Sequence, residues 1–343
     1  MKILLTGATG FIGTWAAQRL ARDGHSVVGM DLIAPETGQS LPLTRFVQGD
    51  IRDVKSLREA MNGCDAILSL AAAHHDFGIE RETYFDINEG ASQLICDTAD
   101  ALGIKRICWY SSCAVYGDSP APRDESAAPQ PNNYYGSSKL AGEVVFQKWA
   151  SKGDGRSCLC IRPTITFGPG NVANMYSLIR QIASGRFVIA GTPTNIKSLS
   201  YVENLIDATM WLWFRHGAGF DIFNFVEKPD LTSVQIAEAI ASGFGRKSAG
   251  VRLPMWLVRL LALPFDIATK LTGRDFSIST LRVKKLFVWE TRFESEKLKQ
   301  TGFQTPLSVR DGLRRMVEWY EQGGKNLPIK WRQPPSTIQE FKS

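Results

Sequence analysis

The feature that most constrains this chain is a glycine-rich segment that directly follows a short apolar run. The run Lys2–Leu5 is followed by TGATGFIG at residues 6–13 and then by apolar residues at helical spacing. An apolar strand, a glycine-rich turn and a helix in immediate succession predict the phosphate-binding turn of a dinucleotide-binding fold. Context makes this short glycine pattern informative, because the same letters elsewhere would predict only a turn.

Each glycine of this segment has a mechanical role in such a turn. Gly7 can take a positive φ, Gly10 lets the backbone approach a diphosphate, and Gly13 lets the helix pack closely on the strand. The N–H groups at the helix start, together with the helix dipole, attract the anion. We therefore expect Gly7, Gly10 and Gly13, with Phe11 and Ile12, to bind the cofactor.

An acidic residue follows the second apolar run and selects the cofactor. Asp31 stands where a carboxylate accepts hydrogen bonds from the adenosine ribose, and it would repel a 2′-phosphate. The sequence therefore predicts NAD rather than NADP.

In the turn after the next strand we expect Asp50 and Ile51 to reach the adenine. Ala71 ends a later strand in a run of small residues that leaves room for the cofactor.

Apolar strands alternate with helical segments along the first half of the chain. This alternation predicts βαβ units and an α/β fold, a Rossmann-like doubly wound parallel sheet with a smaller α/β substrate-binding domain. A chain of 343 residues with 44% apolar content is long enough for two domains. The predicted parts are an NAD-binding domain at 1–165 with a returning segment near 200–225, a substrate-binding domain at 166–325, and a mobile tail at 326–343.

Composition narrows the function classes further. No charged segment followed by an apolar one precedes the first strand, so we expect a cytoplasmic protein. The six cysteines contain no C-x-x-C pair and are interpreted as small core residues. The run His74-His75-Asp76 suggests a metal cluster, but adjacent residues on an extended loop point in different directions, so no metal is predicted.

The net charge of +6 is concentrated in one segment. Residues 246–285 contain nine basic and two acidic residues, while the rest of the chain has 31 basic and 32 acidic ones. The apolar stretch 254–272 within it is too short to span a bilayer. It suits a pair of interfacial helices on an anionic membrane, and a helix that covers a pocket is the alternative. Interleaved Leu and Trp argue against nucleic-acid binding.

Three residues form a candidate catalytic set. Ser112 ends a buried strand, and Tyr135 and Lys139 are four apart in a predicted helix, so they share one helix face. A phenol with a pKa near ~10 is a poor base at neutral pH, but an ammonium and a cationic nicotinamide ring favour the phenolate. We therefore predict that Tyr135 is the general base, that Lys139 supplies the charge, and that Ser112 bridges or shares the proton. Tyr135 and Lys139 would also contact the cofactor.

Together these motifs resemble the extended short-chain dehydrogenase/reductases, in the branch of NAD-dependent epimerases and dehydratases. The resemblance covers about residues 1–320, and its anchors are TGATGFIG at 6–13, SSCAVYG at 111–117, YGSSK at 135–139, IRPTITFGPG at 161–170 and SYVENLIDA at 200–208. It implies the catalytic and cofactor roles given above.

The resemblance also implies roles for residues of the second half. Arg162 and Pro163 should border the nicotinamide pocket. Lys197 lies where the family often places an Arg that holds the substrate diphosphate, and a Lys would do so as a point charge. An exposed loop lysine is the alternative. Ser112, Lys197 and Asn174, at the start of a predicted helix, are the expected substrate-binding residues.

One departure from the family pattern narrows the reaction. The 4,6-dehydratases carry an acidic pair where this chain has Cys113 and Ala114, so elimination lacks its acid and a redox-only cycle is left. Further segments (NIKSLSYVEN, NFVEKPDL and STLRVKKL) resemble the 4-epimerases of N-acetylglucosaminyl-diphospho-undecaprenol in O-antigen assembly. The expected function is an NAD-dependent interconversion of N-acetylglucosamine and N-acetylgalactosamine on a diphosphate carrier, polyprenyl diphosphate being favoured, through a 4-keto intermediate.

Other functions share the same catalytic residues. An oxidoreductase acting on a 4-ketosugar or a sterol-like substrate would need the same set, and so would a soluble UDP-sugar 4-epimerase. A non-catalytic scaffold is disfavoured, because a degenerate site is expected to lose at least one of the three. The expected partners are a diphosphate-linked amino sugar and, through 246–285, the inner face of the cell membrane. The oligomeric state stays open, with a homodimer as one candidate.

Overall fold

The computed structural model describes residues 1–35, 40–74, 79–118, 122–272 and 280–327. Its strands are β1 (Lys2–Thr6), β2 (Ser26–Asp31), β3 (Arg45–Gln48), β4 (Ala66–Ser69), β5 (Arg106–Tyr110), β6 (Ser157–Pro163), β7 (Ile165–Phe167), β8 (Val188–Ala190), β9 (Ile196–Lys197), β10 (Leu199–Tyr201), β11 (Gly219–Phe225), β12 (Leu231–Thr232) and β13 (Val251–Leu253).

Its α-helices are α1 (Phe11–Arg22), α2 (Val54–Met61), α3 (Arg81–Phe85), α4 (Ala91–Leu102), α5 (Tyr134–Ser151), α6 (Asn174–Ala183), α7 (Val202–Trp213), α8 (Ser233–Gly243), α9 (Met255–Thr272), α10 (Thr280–Phe287), α11 (Glu296–Gln300) and α12 (Val309–Glu321). A π-helical turn at Asp86–Gly90 joins α3 to α4, and short 3-10 turns lie at Cys113–Tyr116 and Gly324–Asn326.

Seven parallel strands form the central sheet in the order β11-β6-β5-β4-β1-β2-β3. The strands β1, β4 and β5 are almost entirely buried, as expected for apolar runs covered on both faces. The strand order reverses between β1 and β4, so a crevice opens there at the carboxyl ends of the strands. The predicted Rossmann-like doubly wound sheet is confirmed.

Helices cover both faces of this sheet. On one face α2, α4 and α5 bury a core that includes Leu57, Ile95 and Phe146. On the other face α1 and α7 bury a second core that includes Leu20 and Trp213. Because both faces are closed, the polar groups at the carboxyl ends of the strands face the crevice rather than a sheet surface.

The second half of the chain builds a smaller layer beside the sheet. The two-stranded sheets β7–β10, β8–β13 and β9–β12 pack with α6, α8 and α12 around a third core. The chain also returns to the large sheet, because β11 pairs with β6. The limits of the two domains stay a prediction, and the predicted tail lies, from residue 328 onward, outside the described residues.

Two local expectations need correction. The apolar spacing of the sequence predicts a helix from Asn88 to Leu102, but the helical segment begins earlier, at Arg81, and runs through the π-helical turn. The pair of helices expected around Pro264 is wrong, because α9 continues through that proline. Pro264 is exposed, so the carbonyl that loses its helical hydrogen bond can be solvated by water. None of the helices in the described ranges is long and apolar enough to cross a bilayer.

One buried carboxylate joins three segments of the smaller layer. Glu227, after β11, accepts a hydrogen bond from the Asn204 amide, which also donates to the Leu307 carbonyl at 2.7 Å. The second carboxylate oxygen of Glu227, Oε2, is buried without a hydrogen-bond partner among the described residues. Burial raises the pKa of Glu227 from its ordinary 4.5 to about 7, with the Asn204 bond acting in the opposite direction.

This raised pKa predicts a pH-dependent stability. The folded chain holds the Glu227 proton more tightly than the unfolded chain, so stability is full below about pH 4.5 and is lost as pH rises through 7. Glu227→Gln mimics the protonated side chain and should raise the free energy of unfolding at pH 8 by up to about 3 kcal/mol, but not at pH 5. Denaturant titrations at both pH values measure the difference. The exposed Glu238→Gln on α8 is the matched control, and an equal effect at both pH values would contradict the assignment.

Candidate active site

The glycine turn at the end of β1 is shaped by backbone contacts that exclude any side chain. Gly7 has a φ of +69°, and a Cβ added there would lie 2.9 Å from the Ala71 nitrogen. A Cβ on Gly13 would lie 2.0 Å from the Gly7 carbonyl oxygen. Gly10 donates its N–H to that same oxygen at 3.0 Å and precedes the first residue of α1. The result is a cradle of bare backbone at a helix N-terminus, which fits the diphosphate of NAD.

Asp31 lies beside this turn at the end of β2. Its two carboxylate oxygens accept hydrogen bonds from Thr9 N at 3.1 Å and Ile33 N at 3.3 Å. The carboxylate is therefore held against the glycine turn, at the position predicted for the adenosine ribose contact. That contact itself stays a prediction.

The predicted adenine contacts lie in a turn that is stabilised by its own ion pair. Both oxygens of Asp50 bond to Arg52, through N at 2.8 Å, Nε at 3.0 Å and Nη2 at 2.7 Å, and both side chains are buried. Ile51, which lies between Asp50 and Arg52 in the sequence, is also buried. The Asp50 carboxylate thus shapes the turn, and a contact with adenine would be made by the surrounding backbone and Ile51.

Sequence reasoning missed the residue that places Ala71. The Thr6 hydroxyl accepts hydrogen bonds from Leu70 N at 3.1 Å and Ala71 N at 3.2 Å. It therefore ties the end of β4 to the glycine turn. The available signal was a buried hydroxyl at the last position of an otherwise apolar strand.

Ser112 and Tyr135 come from segments that pack directly on each other. Ser112 begins the 3-10 turn after β5, and its hydroxyl accepts a hydrogen bond from Ala114 N at 3.1 Å. Tyr135 lies in the first turn of α5, which Asn133 caps by accepting from Gly136 N at 2.8 Å. A Cβ on Gly136 would lie 2.4 Å from the Ala114 carbonyl oxygen, so only glycine lets the two segments approach this closely.

Lys139 lies one turn further along α5 in a buried position. Its Nζ donates to the Tyr110 carbonyl at 2.8 Å and lies 4.7 Å from the centre of the Trp109 ring. Burial lowers the pKa of Lys139 to about 7, while Cys160 and Glu143 act to raise it. Burial and the neighbours Cys160 and Glu143 therefore act in opposite directions on the positive charge of Lys139, which the predicted role of Tyr135 requires.

A second missed residue links the crevice to the catalytic helix. The Asn88 amide donates to the Ala73 carbonyl at 3.0 Å and to the Ser138 hydroxyl at 2.9 Å, and its oxygen accepts from Ala73 N at 3.1 Å. All three residues are buried. An Asn inside a helical segment that packs on the sheet was the signal for this role.

The last two residues of β6, Arg162 and Pro163, are those expected to border the nicotinamide pocket. Pro163 ends the strand, and the Arg162 side chain before it points into the protein. Neighbouring residues of a strand point to opposite faces, and Arg162 is buried against Glu143. The contacts of Arg162 and Pro163 with the nicotinamide stay a prediction.

The two predicted substrate residues of the second half differ in environment. Asn174 is exposed in the first turn of α6. Lys197 is buried on β9 and donates to the Trp289 carbonyl at 2.6 Å, so the alternative of an exposed loop lysine is wrong. Burial lowers the pKa of Lys197 to about 8, and Glu290 acts to raise it. Their contact with substrate stays a prediction.

Only His74 of the run His74-His75-Asp76 lies within the described residues. His74 contacts the Ala72 carbonyl through its ring, while His75 and Asp76 lie outside the described residues. In the described part of the chain no group of three or more His, Cys, Asp or Glu side chains is arranged to hold a metal ion.

The fold and the site together define a dinucleotide-binding enzyme with a Ser, Tyr and Lys set at the crevice. Residues 3–225 match the model of the NAD dependent epimerase/dehydratase family, and the chain belongs to this family. The predicted family and NAD as the cofactor are confirmed.

Relatives cover nearly the whole chain. The chain is 34% identical to the N-acetyl-alpha-D-glucosaminyl-diphospho-ditrans,octacis-undecaprenol 4-epimerase of Escherichia coli O157:H7, over 92% of this chain and 94% of that protein. It is 26% identical to the UDP-glucose 4-epimerase of Vibrio cholerae, over 93% and 95%. The solved UDP-glucuronic acid 4-epimerase from Bacillus cereus in complex with NAD shares the fold, with a TM-score of 0.73 at 20% identity over 94% of this chain and 99% of that one.

The glycine cradle predicts a sharp difference between two Gly→Ala variants. Gly13→Ala places a methyl group 2.0 Å from the Gly7 oxygen, so the turn must open, and it should lose its bound NAD and destabilise the fold by about 1–3 kcal/mol. Gly217→Ala enters open space and serves as the control. Cofactor content after purification and the NAD-induced shift in melting temperature measure both effects. Normal NAD retention in Gly13→Ala would show that the turn is not the diphosphate site.

Proposed function

We propose that this protein is an NAD-dependent sugar 4-epimerase that interconverts N-acetylglucosamine and N-acetylgalactosamine on a diphosphate carrier. Polyprenyl diphosphate is the carrier we favour, and surface polysaccharide synthesis is the process. The observation that carries the proposal is the packing of the 3-10 turn that Ser112 begins against the start of α5, which bears Tyr135 and Lys139, in an NAD-binding fold. The similarity to 4-epimerases along nearly the whole chain supports it.

The chemistry follows from the properties of these three side chains. NAD, held at the glycine turn of Gly7, Gly10 and Gly13, would supply the hydride acceptor for C4 of the sugar and the hydride donor for the return step. Tyr135 takes the proton of the 4-hydroxyl as the ketone forms, and gives it back when the other face of the 4-keto sugar is reduced. Lys139 favours the phenolate by its charge, and the Ser112 hydroxyl hydrogen-bonds the reacting oxygen. The net redox change is zero.

The surroundings of Ser112 support a cycle without elimination. Cys113 is buried, and its thiol donates to the Arg162 carbonyl at 3.2 Å. Burial raises the pKa of this thiol, so it stays neutral. The position where dehydratases carry an acid therefore offers no proton donor to a leaving hydroxyl.

Product analysis tests the function and separates it from its rivals. The enzyme is incubated with polyprenyl-diphosphate-linked and with UDP-linked N-acetylglucosamine, without added NADH. We expect interconversion of the two amino sugars, with preference for the lipid-linked substrate. A requirement for stoichiometric NADH would identify a net oxidoreductase, and preference for the UDP-sugar would identify a soluble UDP-sugar epimerase.

The role of Tyr135 predicts a large loss of turnover in Tyr135→Phe. General-base catalysis is worth about 10²–10⁴-fold, so kcat should fall by that factor while NAD remains bound. The adjacent Tyr134 is 57% exposed on the same helix, and Tyr134→Phe is the matched control. Steady-state kinetics and cofactor content measure both. Activity close to wild type in Tyr135→Phe would move the base to another residue.

A solvent-exposed face of α9 supports contact with a membrane surface. Trp256, Leu260 and Leu263 are 67%, 55% and 47% exposed, and Arg259 lies between them. Their spacing of three and four residues places them on one helix face. The outer face of a helix that only covers a pocket is expected to be polar rather than apolar. Apolar side chains beside basic ones suit an anionic leaflet, to which a polyprenyl-linked sugar would be confined.

The charge on this surface predicts salt-sensitive binding to anionic vesicles. Arg252 and Arg259 are exposed, and each basic residue near such a surface contributes about 1 kcal/mol. The double variant Arg252→Gln/Arg259→Gln should therefore bind at least about tenfold more weakly in vesicle co-sedimentation. NAD binding should not change. The control Lys55→Gln/Lys148→Gln removes two exposed charges from α2 and α5. Indifference of the wild type to anionic vesicles would reject the membrane contact.

A further inference from the structure

A buried ion pair lies next to the catalytic lysine, and the mechanism above does not use it. Glu143 follows Lys139 by one turn of α5, and Arg162 faces it from β6. Arg162 Nε donates to Glu143 Oε1 at 2.7 Å and Nη2 donates to Oε2 at 2.5 Å. Both side chains are at most 4% exposed. The contact is therefore bidentate and shielded from water.

The guanidinium of Arg162 is itself held on the side away from Glu143. Its Nη1 donates to the Tyr116 hydroxyl at 2.7 Å, and that hydroxyl donates to Asn224 Oδ1 at 3.0 Å. Although burial opposes its charge, the bond to Glu143 raises the pKa of Arg162 above its ordinary value. Arg162 therefore stays charged and keeps the Glu143 carboxylate in one place.

Stability alone does not account for such a pair. Replacing a buried ion pair by well-packed apolar residues is often neutral or stabilising, because desolvating two charges is costly. What an apolar pair could not supply is a fixed negative charge one helical turn from Lys139. A carboxylate so firmly bound to Arg162 also cannot swing over and neutralise the Lys139 ammonium directly.

The groups around Lys139 leave Glu143 as the source of that charge. Tyr135 and Glu143 share its helix, Tyr110 comes from β5, and Cys160 comes from β6 with its thiol 3.9 Å from Glu143 Oε1. Burial raises the pKa of both Tyr110 and Cys160, so both stay neutral. Glu143 is thus the anion beside this lysine, in an environment where charges interact more strongly than in water.

We propose that Glu143 is a positioning residue for catalysis, which, held by Arg162, keeps the buried Lys139 side chain charged beside Tyr135. The inference rests on the proposed function, in which Tyr135 is the base. It adds that the pH range of the enzyme is set by a residue that does not touch the substrate.

Removal of the Glu143 charge tests the proposal through the pH profile. In Glu143→Gln the amide keeps the shape of the carboxylate and one acceptor for Arg162, but Lys139 loses its nearby anion. The alkaline limb of kcat/KM should move to lower pH by about one unit. Activity at alkaline pH should then fall about tenfold, and activity at the acidic end should approach the wild type. A purely structural role would lower activity by the same factor at every pH, and that result would overturn the proposal.

Three further variants keep the test decisive. Glu143→Asp retains the charge and should restore the alkaline limb, while the buried Glu227→Gln should leave the profile unchanged. If Glu143→Gln does not fold, the double variant Glu143→Gln/Arg162→Met removes both charges together and should fold. It should shift the alkaline limb in the same direction but by less, because the Arg162 cation is removed together with the Glu143 anion, and an unshifted limb in a folded double variant would reject the idea.

A measurement without turnover separates this inference from the proposed function. The ultraviolet absorbance of phenolate, taken as the difference between each protein with NAD and its Tyr135→Phe counterpart, follows ionisation of Tyr135 alone. In Glu143→Gln the midpoint should rise, since Lys139 carries less charge. If the shift appears in a protein without epimerase activity, the proposed reaction fails and the role of Glu143 stands. An unchanged midpoint rejects the role of Glu143, whatever the reaction.

Discussion

The contact between Gly13 and the carbonyl of Gly7 is the constraint on which the site depends. Because α1 begins directly behind the turn, its first N–H groups point to the place where the diphosphate of NAD fits. A side chain at Gly7 or Gly13 would push the helix or the end of β4 away. Hydrogen bonds from the Thr6 hydroxyl to Leu70 and Ala71 then fix β4 to the same turn.

The same line of hydrogen bonds continues to the catalytic helix. Ala73 exchanges hydrogen bonds with Asn88, and Asn88 donates to Ser138 on α5. Lys139 follows Ser138 and is anchored to the Tyr110 carbonyl. Three strand ends and one helix are therefore connected by buried polar groups, each of which is costly to leave unpaired. This network explains how the glycine turn and Lys139 keep a fixed relation although they are far apart in sequence.

Local patterns were sufficient for the parts of the site that depend on local physics. The glycine turn, Asp31 at the end of β2, and the spacing of Tyr135 and Lys139 on one helix face follow from backbone sterics and helical periodicity. Tertiary packing decided the others. The burial of Lys197 and the inward direction of Arg162 depend on neighbours that are distant in sequence. Pro264 is another case in which the local pattern was insufficient. The helix α9 continues through this proline, which lies on the exposed side of the helix.

The smaller layer joins the buried charges of the site to the exposed surface of α9. Lys197 donates to the carbonyl of Trp289, and Asn195 donates to the same oxygen and to the carbonyl of Leu286 at the end of α10. The end of α10 is therefore fastened to β9, and α10 in turn packs against α9. A substrate whose diphosphate reached Lys197 would lie against the segment that connects to the exposed face of α9. The expected position of the diphosphate and the proposed membrane surface are thus joined through α10, which is the arrangement a lipid-linked substrate would require.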